Sequence, residues 1–509
     1  MSKRRFYITT AIPYVNGDPH IGFALECVQA DVLARHRRLR GEDVRFLSGT
    51  DDNSLKNVEA AEAEGLPVAE FVNAKAERFA ALRGPLALSY DDFIRTSVDP
   101  RHRPGVERLW RACAAAGDLY DRDYEGLYCN GCESFVSSGE LAGGLCSEHG
   151  EAPEHVAERN WFFRLSRYRD ELLSLIESDR LRIEPEHRRN EVLNVIRGGL
   201  ADISVSRSRR RARGWGIPVP DDPSQVVYVW FDALGNYISA LDYRSGGDRY
   251  RTWWREADER VHVIGKGITR FHAAYWPAIL LSADEPLPTT ILVHDYLTVD
   301  GQKLSKSRGA SVDPAELASR YGADALRWWF IRGVPRSGDA DFREELLAGC
   351  ANELADDLGN LVNRTIALAG RFRPDGVPPA PPPIDARALV AAIAKAPEAI
   401  DEALGRFDFR AAAEALWHAV AEANRFVSAT RPWELGKLER GDRASIVRLD
   451  AVLGALHGAC RAIAHELRPF LPNAATRIEH ALERGDPELG RRLFPKAGVV
   501  SDLARDARP

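Results

Sequence analysis

Residues 6–52 read FYITTAIPYVNGDPHIGFALECVQADVLARHRRLRGEDVRFLSGTDD, and this stretch decides the fold class. Phe6 to Thr10 is a short run of aromatic and β-branched residues, the pattern of a buried strand. Ala11 to Pro19 is interrupted by Pro13, Asn16 and Gly17 and reads as a loop. From about His20 to Leu39 the apolar positions Ile21, Leu25, Val28, Val32 and Leu33 fall at helical spacing, with Pro19 before them and Gly41 after. Val44 to Leu47 is a second strand leading to Gly49-Thr50-Asp51-Asp52. Strand, loop, helix and strand in this order form a βαβ unit, so the sequence predicts an α/β fold whose ligand sits at the carboxyl ends of the strands. Ala11 to Pro19 and Gly49 to Asp52 are both loops at such ends.

Outward from this unit the chain divides. The first segment, 1–118, pairs with 222–298, where Val226 to Trp230, Val261 to Ile264 and Ile291 to Val293 read as further strands. Between them, 119–221 has short segments, a cysteine cluster and the basic run Arg207 to Arg213, as an inserted domain would. Residues 299–350 form a connecting region. From 351 to 509 the chain is Ala-, Leu- and Arg-rich at helical spacing, broken by the proline-rich stretch Pro374 to Pro383, and predicts an α-helical bundle with one long connection. No internal repeat is evident.

With 509 residues, more than one core is expected, and 45% hydrophobic against 28% charged residues is the composition of a soluble globular protein. The net charge of −6 excludes a uniformly basic coat, though not a local RNA-binding face. No run reaches membrane-spanning length, and Phe6 to Thr10 is too short for a signal peptide's apolar region. An odd number of cysteines, seven, three of them between residues 129 and 146, suits a metal site in a reducing cytoplasm better than a disulfide frame. Cys27, Cys113, Cys350 and Cys460 are scattered and read as small apolar residues.

Three constellations carry chemistry. His20 and Gly22 open the helix after the first strand, where free amide groups and the helix dipole favour an anion. Far along the chain, Asp300-Gly301-Gln302-Lys303-Leu304-Ser305-Lys306-Ser307-Arg308-Gly309 sets two lysines in a glycine-flanked loop, suited to neutralising a triphosphate under attack. Cys129-Asn130-Gly131-Cys132 and Cys146-Ser147-Glu148-His149 supply four soft or borderline ligands at paired spacing, which predicts structural Zn²⁺ held by Cys129, Cys132, Cys146 and His149.

His20 to Phe23 and Lys303 to Ser307, written HIGF and KLSKS, resemble the HIGH and KMSKS signatures of class I aminoacyl-tRNA synthetases. Tyr14 to Gly17, Arg189 to Val192, Tyr228 to Ala233, Ile264 to Lys266 and Phe271-His272 resemble the methionyl members, and the likeness runs from about residue 6 to 440. The resemblance implies a Rossmann-like catalytic domain at 1–118 and 222–298. It also implies a connective-peptide insert with a zinc knuckle, a stem-contact region at 299–350 and an anticodon-binding bundle. It implies a methionine–tRNA ligase acting on ATP with Mg²⁺, methionine and tRNA(Met), with His20, Lys303 and Lys306 as catalytic groups. ATP would meet His20, Gly22, Glu26, Gly265, Lys303 and Lys306. Methionine would meet Ala11, Ile12, Tyr14, Trp230, Ala233, Leu234, Tyr237, Ile268 and His272, with Asp51 on its ammonium group. Asn360, Arg364 and Trp433 would read the CAU anticodon, by base-edge hydrogen bonds and indole stacking. A cytoplasmic monomer without membrane or DNA partners is the accompanying expectation, because no dimerising module follows the bundle.

Three sites, five residues in all, depart from the family pattern. Phe23 replaces the second histidine and cannot donate to a phosphate, a loss of about 3–4 kcal/mol of transition-state stabilisation. Asp52-Asn53-Ser54 stands where bacterial members have Glu-His-Gly, and Gly267 where an Asp near the ribose is common. These departures keep open two alternatives: a paralogue acting as an RNA-binding or regulatory protein, and an enzyme adenylating another substrate.

Overall fold

The computed structural model describes residues 3–129, 134–136, 139, 141–147, 150–299, 301–303, 312–438 and 442–494. Its centre is a sheet of six strands: β1 (Arg5–Thr10), β2 (Asp43–Thr50), β3 (Asp92–Arg95), β4 (Arg182–Glu184), β5 (Glu259–Gly265) and β6 (Thr290–His294). Their order is β3-β2-β1-β5-β6-β4, and every neighbouring pair is parallel. Strand succession runs outward in opposite directions from β1 and β5, so a crevice opens between their carboxyl ends. Because side chains alternate along a strand, Phe6 and Ile8 join one core beneath the sheet while Tyr7 joins a second core above it. Helix α1 (Ile21–Leu39) covers the first face, and its Val28 and Val32 are fully buried.

Two sequence expectations are corrected. Arg182–Glu184 falls inside the expected insert, yet it pairs with Thr290 to Leu292 and closes the main sheet. Val226 to Trp230 does not form a strand of that sheet. Asp222–Val227 pairs instead with Ser206–Ser208 and Pro218–Val219 in a small antiparallel sheet, and a helix begins at Val229. Local apolar content identified a strand there, but strand partners are set by tertiary contacts that periodicity does not encode.

The insert is built on a ribbon in which Leu119–Cys129 runs antiparallel to Glu154–Phe163. Cys129 thus sits at the far end of a strand. After β6, Leu297–Val299 pairs with Gln302–Lys303 on one side and Ala340–Phe342 on the other. The C-terminal region is helical, with Glu344–Glu353, Asn360–Phe372, Arg387–Gly405, Phe409–Thr430, Arg443–Leu467 and Pro472–Arg484 as its main helices. Leu416, Ile463 and Ile478 of these helices belong to the same core as α1. No described helix is long and apolar enough to cross a membrane.

Among the described polar contacts between α1 and the C-terminal part of the chain, one ion pair is fully buried. The fully buried Arg327 pairs with the equally buried Asp31 of α1 at 2.8 Å. Its guanidinium also donates to the carbonyls of Leu86, Pro469 and Phe470.

Candidate active site

The crevice at the β1 and β5 ends is a cleft of about 290 Å³. Ala11, Ile12 and Tyr14 reach it from the loop after β1, and His20, Gly22, Phe23 and Glu26 from the start of α1. Gly265, Gly267 and Ile268 come from the end of β5, His294, Tyr296 and Leu297 from the end of β6, and Trp230 from a helical turn above.

His20, the expected helix start, is the N-cap of α1, and the helix itself begins one residue later at Ile21. The His20 Nδ1 accepts the Gly22 N–H at 3.1 Å, which leaves the proton of the neutral ring on Nε2. A side-chain Cβ at Gly22 would lie 2.9 Å from that ring, so the glycine is required by the imidazole itself. The expectation of free amides at this helix end is therefore corrected. The Gly22 N–H is taken by His20, the Phe23 N–H by the His20 carbonyl, and the Ile21 N–H by the carbonyl of Val312 at 3.2 Å. That last bond joins the histidine motif to the chain just beyond the lysine loop. Lys303 is described as the end of a strand, and Lys306 lies outside the described residues.

Glu26 holds three strand ends together. Its carboxylate accepts from Ala11 N–H at 2.7 Å, contacts His294 Nε2 at 3.0 Å, and is also hydrogen-bonded by the Gly265 backbone. Burial disfavours a charged His294, but the hydrogen bond and charge of Glu26 outweigh it and hold the imidazole pKa above its ordinary value.

The other end of the cleft is apolar. Trp230 stacks on Phe271 at 3.8 Å, with Ile12 and Ile268 beside it. Ala233, Leu234, Tyr237 and His272 are buried behind this surface and do not line the cleft. Tyr237 and His272 are joined by a 2.7 Å hydrogen bond, and His272 Nδ1 donates to the Ile268 carbonyl at 3.0 Å. Burial lowers the His272 pKa to about 4, so the ring is neutral and Nε2 accepts the Tyr237 proton. These residues come from helical turns, where the strand reading of Val226 to Trp230 had put strand ends.

Asp51 is buried at the end of β2 and is not on the cleft wall, but it bridges to Tyr14, which is. Each substituted neighbour has a local task. Asp52 turns away to Arg95 and Ser97. Asn53 donates its backbone N–H to Asp51 and its side-chain amide to Asp232, which in turn pairs with the buried His102. Ser54 caps the helix Leu55–Ala63. The Asn53, Asp232 and His102 chain was missed in sequence, as were His294, Tyr296 and Leu297. The latter three follow directly on the strand Ile291 to Val293, so the strand-end rule contained the signal.

Phe23 lines the cleft and packs edge-on against Phe79, with ring centroids 5.2 Å apart. In the insert, Cys129 and Cys146 are buried and outside any disulfide, as zinc thiolates would be. Hydrogen bonds from Gly150 N–H to the Cys146 carbonyl and from Cys146 N–H to the Glu151 carbonyl close a turn there. Cys132 and His149 lie outside the described residues, and among the described ones no set of three metal-type side chains converges.

In the bundle, Asn360 and Arg364 are exposed on one helix, Arg364 also contacting Asn424 at 3.2 Å. Trp433, 37% exposed, lies on the short helix Pro432–Leu438. That helix is pressed against the first: a Cβ at Gly436 would meet the Phe372 ring at 2.3 Å. The three residues thus ride on two helices in direct contact.

A parallel sheet with a strand-end cleft, a histidine capping the first helix at that cleft and a C-terminal helical bundle defines a class I aminoacyl-tRNA synthetase. The family model described as "tRNA synthetases class I (M)" matches residues 6–146 and 132–366. The "Anticodon binding domain of methionyl tRNA ligase" matches 377–495. A methionine–tRNA ligase of Caldanaerobacter subterraneus is 40% identical over 98% of this chain and 75% of its own length. One from Brucella suis is 39% identical over 94% and 92%. The Mycobacterium tuberculosis methionyl-tRNA synthetase in complex with methionyl-adenylate superposes with a TM-score of 0.90 at 36% identity, covering 97% of this chain and 98% of that one. Its free form gives 0.83 at 34% identity, over 97% and 96%. The chain belongs to the methionyl-tRNA synthetase family.

Proposed function

We propose that this chain joins methionine to tRNA(Met) in two steps, with the residues described above in the following roles. In the first step a methionine carboxylate oxygen attacks the α-phosphorus of ATP, a phosphorus–oxygen bond forms, and pyrophosphate leaves with the electrons of the bond that breaks. In the second step a 3′-terminal ribose hydroxyl of the tRNA attacks the carbonyl carbon of the adenylate, and AMP leaves. No protein nucleophile is required, because positioning and neutralisation of phosphate charge lower the barrier.

The observation that carries this reading is the division of one cleft into a hydrogen-bonding end at His20 and an apolar end at Trp230, Ile12 and Ile268. An unbranched thioether fits the apolar end, and the uncharged Tyr237 and His272 behind it impose no charge on the side chain. Asp51, buried behind the cleft residue Tyr14 and held by the Asn53 N–H, supplies the negative charge that draws the ammonium group to that side of the cleft. His20 donates Nε2–H to a phosphate oxygen, and Lys303 and Lys306 neutralise the triphosphate, which arrives with Mg²⁺. Glu26 and Gly265 shape the nucleoside wall. Cys129, Cys132, Cys146 and His149 would hold Zn²⁺, which would supply a structural cross-link in the insert.

Methionine-dependent exchange of pyrophosphate into ATP tests the first step, and its absence would refute the reading. Exchange with a different amino acid alone would redirect it to another substrate. Phe23→His is expected to raise the exchange rate about tenfold. That is less than the full value of a phosphate donor, because the new ring must also keep its place against Phe79. An unchanged rate would show that another group already supplies the contact.

Asn360, Arg364 and Trp433 read the anticodon of tRNA(Met). Trp433→Ala is expected to lower kcat/KM for tRNA about ten- to hundredfold, the worth of one stacked base, and to leave exchange unchanged. A matching loss in both assays would place Trp433 in the bundle's packing instead.

A further inference from the structure

Gly267 and Tyr296 occupy the same space. Gly267 lies in the turn Lys266–Ile268 that follows β5, and a Cβ built on it would stand 2.1 Å from the Tyr296 hydroxyl oxygen and 3.3 Å from Cζ. The phenol tip therefore fills the position that the first atom of any side chain at 267 would need. Both residues line the cleft.

The Tyr296 ring is held in this place from two sides. Its backbone N–H donates to Asp339 at 3.0 Å, and the Lys266 ammonium lies 4.5 Å from its ring centroid. Lys266 is itself fixed by Asp339 at 2.6 Å, so the carboxylate orients both the backbone and the cation on the ring. Such an anchored aromatic ring keeps its terminal hydroxyl in place with little loss of freedom on binding.

The position of the hydroxyl within the cleft indicates its ligand. The phosphate end is marked by His20 and the amino-acid end by Trp230 and Ile12. The remaining wall, Gly265, Gly267, His294, Tyr296 and Leu297, is left for the nucleoside. A phenol both donates and accepts, as a ribose hydroxyl does. Unlike a carboxylate, it brings no negative charge into a cleft that must take a triphosphate.

We infer that the Tyr296 hydroxyl binds a ribose hydroxyl of ATP and of the adenylate, replacing a side chain at position 267. This rests on the ligase reading above.

The test compares ATP, 2′-deoxy-ATP and 3′-deoxy-ATP in methionine-dependent exchange by the intact chain and by Tyr296→Phe. The variant is expected to lose about tenfold in kcat/KM with ATP, one hydrogen bond's worth. It should lose nothing further with the analogue that lacks the contacted hydroxyl, and its KM for methionine should not change. An equal loss on all three nucleotides, or no loss on any, would overturn the inference. If the intact chain shows no exchange with methionine, the ligase reading fails, and calorimetric titration of the same three nucleotides still decides the role of Tyr296. There the inference requires that Tyr296→Phe weaken ATP and spare one deoxy analogue, and equal weakening refutes it.

Discussion

Replacing His20 by asparagine lowers the rate of methionine activation by about a hundred- to a thousandfold while leaving the fold intact. The magnitude is that of one donor removed from a developing phosphate charge. The choice of asparagine follows from the two tasks of the imidazole. Nδ1 accepts the Gly22 N–H as the cap of α1, and Nε2–H is the donor assigned to the phosphate. Asparagine is among the preferred N-caps, so its side-chain oxygen takes over the first task, while its shorter chain does not reach the second. His20→Ala removes both and adds about 1 kcal/mol of instability from the lost cap. Pyrophosphate exchange and thermal unfolding measured on both variants separate the effects: both are slow, and only the alanine variant melts early. An asparagine variant that exchanges at the full rate would remove His20 from the chemistry and leave it a cap.

The same residue shows how much of the site the sequence exposes. The strand, loop and helix of residues 6–39 are legible because their apolar periods are local and their boundaries carry proline and glycine. The direction in which His20 points is not, since it depends on a bond to Gly22 and on the Val312 carbonyl almost three hundred residues away. Arg182–Glu184 was hidden for a related reason. Three residues with two charges carry no strand period, and only pairing with Thr290 to Leu292 makes them one. Trp230 reads as a strand residue from its β-branched and aromatic neighbours, yet Tyr228 to Leu234 folds into a turn of helix that sets the indole over the cleft. Asn53 looks like a departure until its amide is found on Asp232, a contact no spacing rule supplies. Residue types thus name the chemistry, and the bonds that aim it are set by distant parts of the chain.

Arg327→Met destabilises the protein by about 3–5 kcal/mol, the range for removing one member of a buried ion pair. Asp31 and Arg327 are both fully buried, and the three carbonyls of Leu86, Pro469 and Phe470 lose their guanidinium donors along with the carboxylate. Burial pushes the Asp31 pKa up, but the charges of Arg327 and Arg35 outweigh it and hold the carboxyl below its ordinary value. In the native protein this group therefore contributes stability that is present above the ordinary carboxylate range and lost as pH falls through the lowered value. Without Arg327 the Asp31 pKa shifts upward, with Arg35 and Ser89 still holding the carboxylate, so the variant loses part of the stability that the lowered value supplies. The gap in stability between variant and native protein is then widest near neutral pH and narrows as the solution is acidified. Denaturant unfolding at pH 7 and pH 5 measures that gap. A second substitution, Asp31→Asn, recovers part of the loss at pH 7 by removing a buried charge left with Arg35 as its cationic partner, whereas a loss that is independent of pH and unaffected by Asp31→Asn would assign the effect to the carbonyls alone. Arg327→Lys recovers little, because an ammonium cannot present the planar fork that reaches Asp31 and three carbonyls together. Arg327 thus acts outside the cleft, where α1, capped by His20, is tied to the turn between the helices Arg443–Leu467 and Pro472–Arg484.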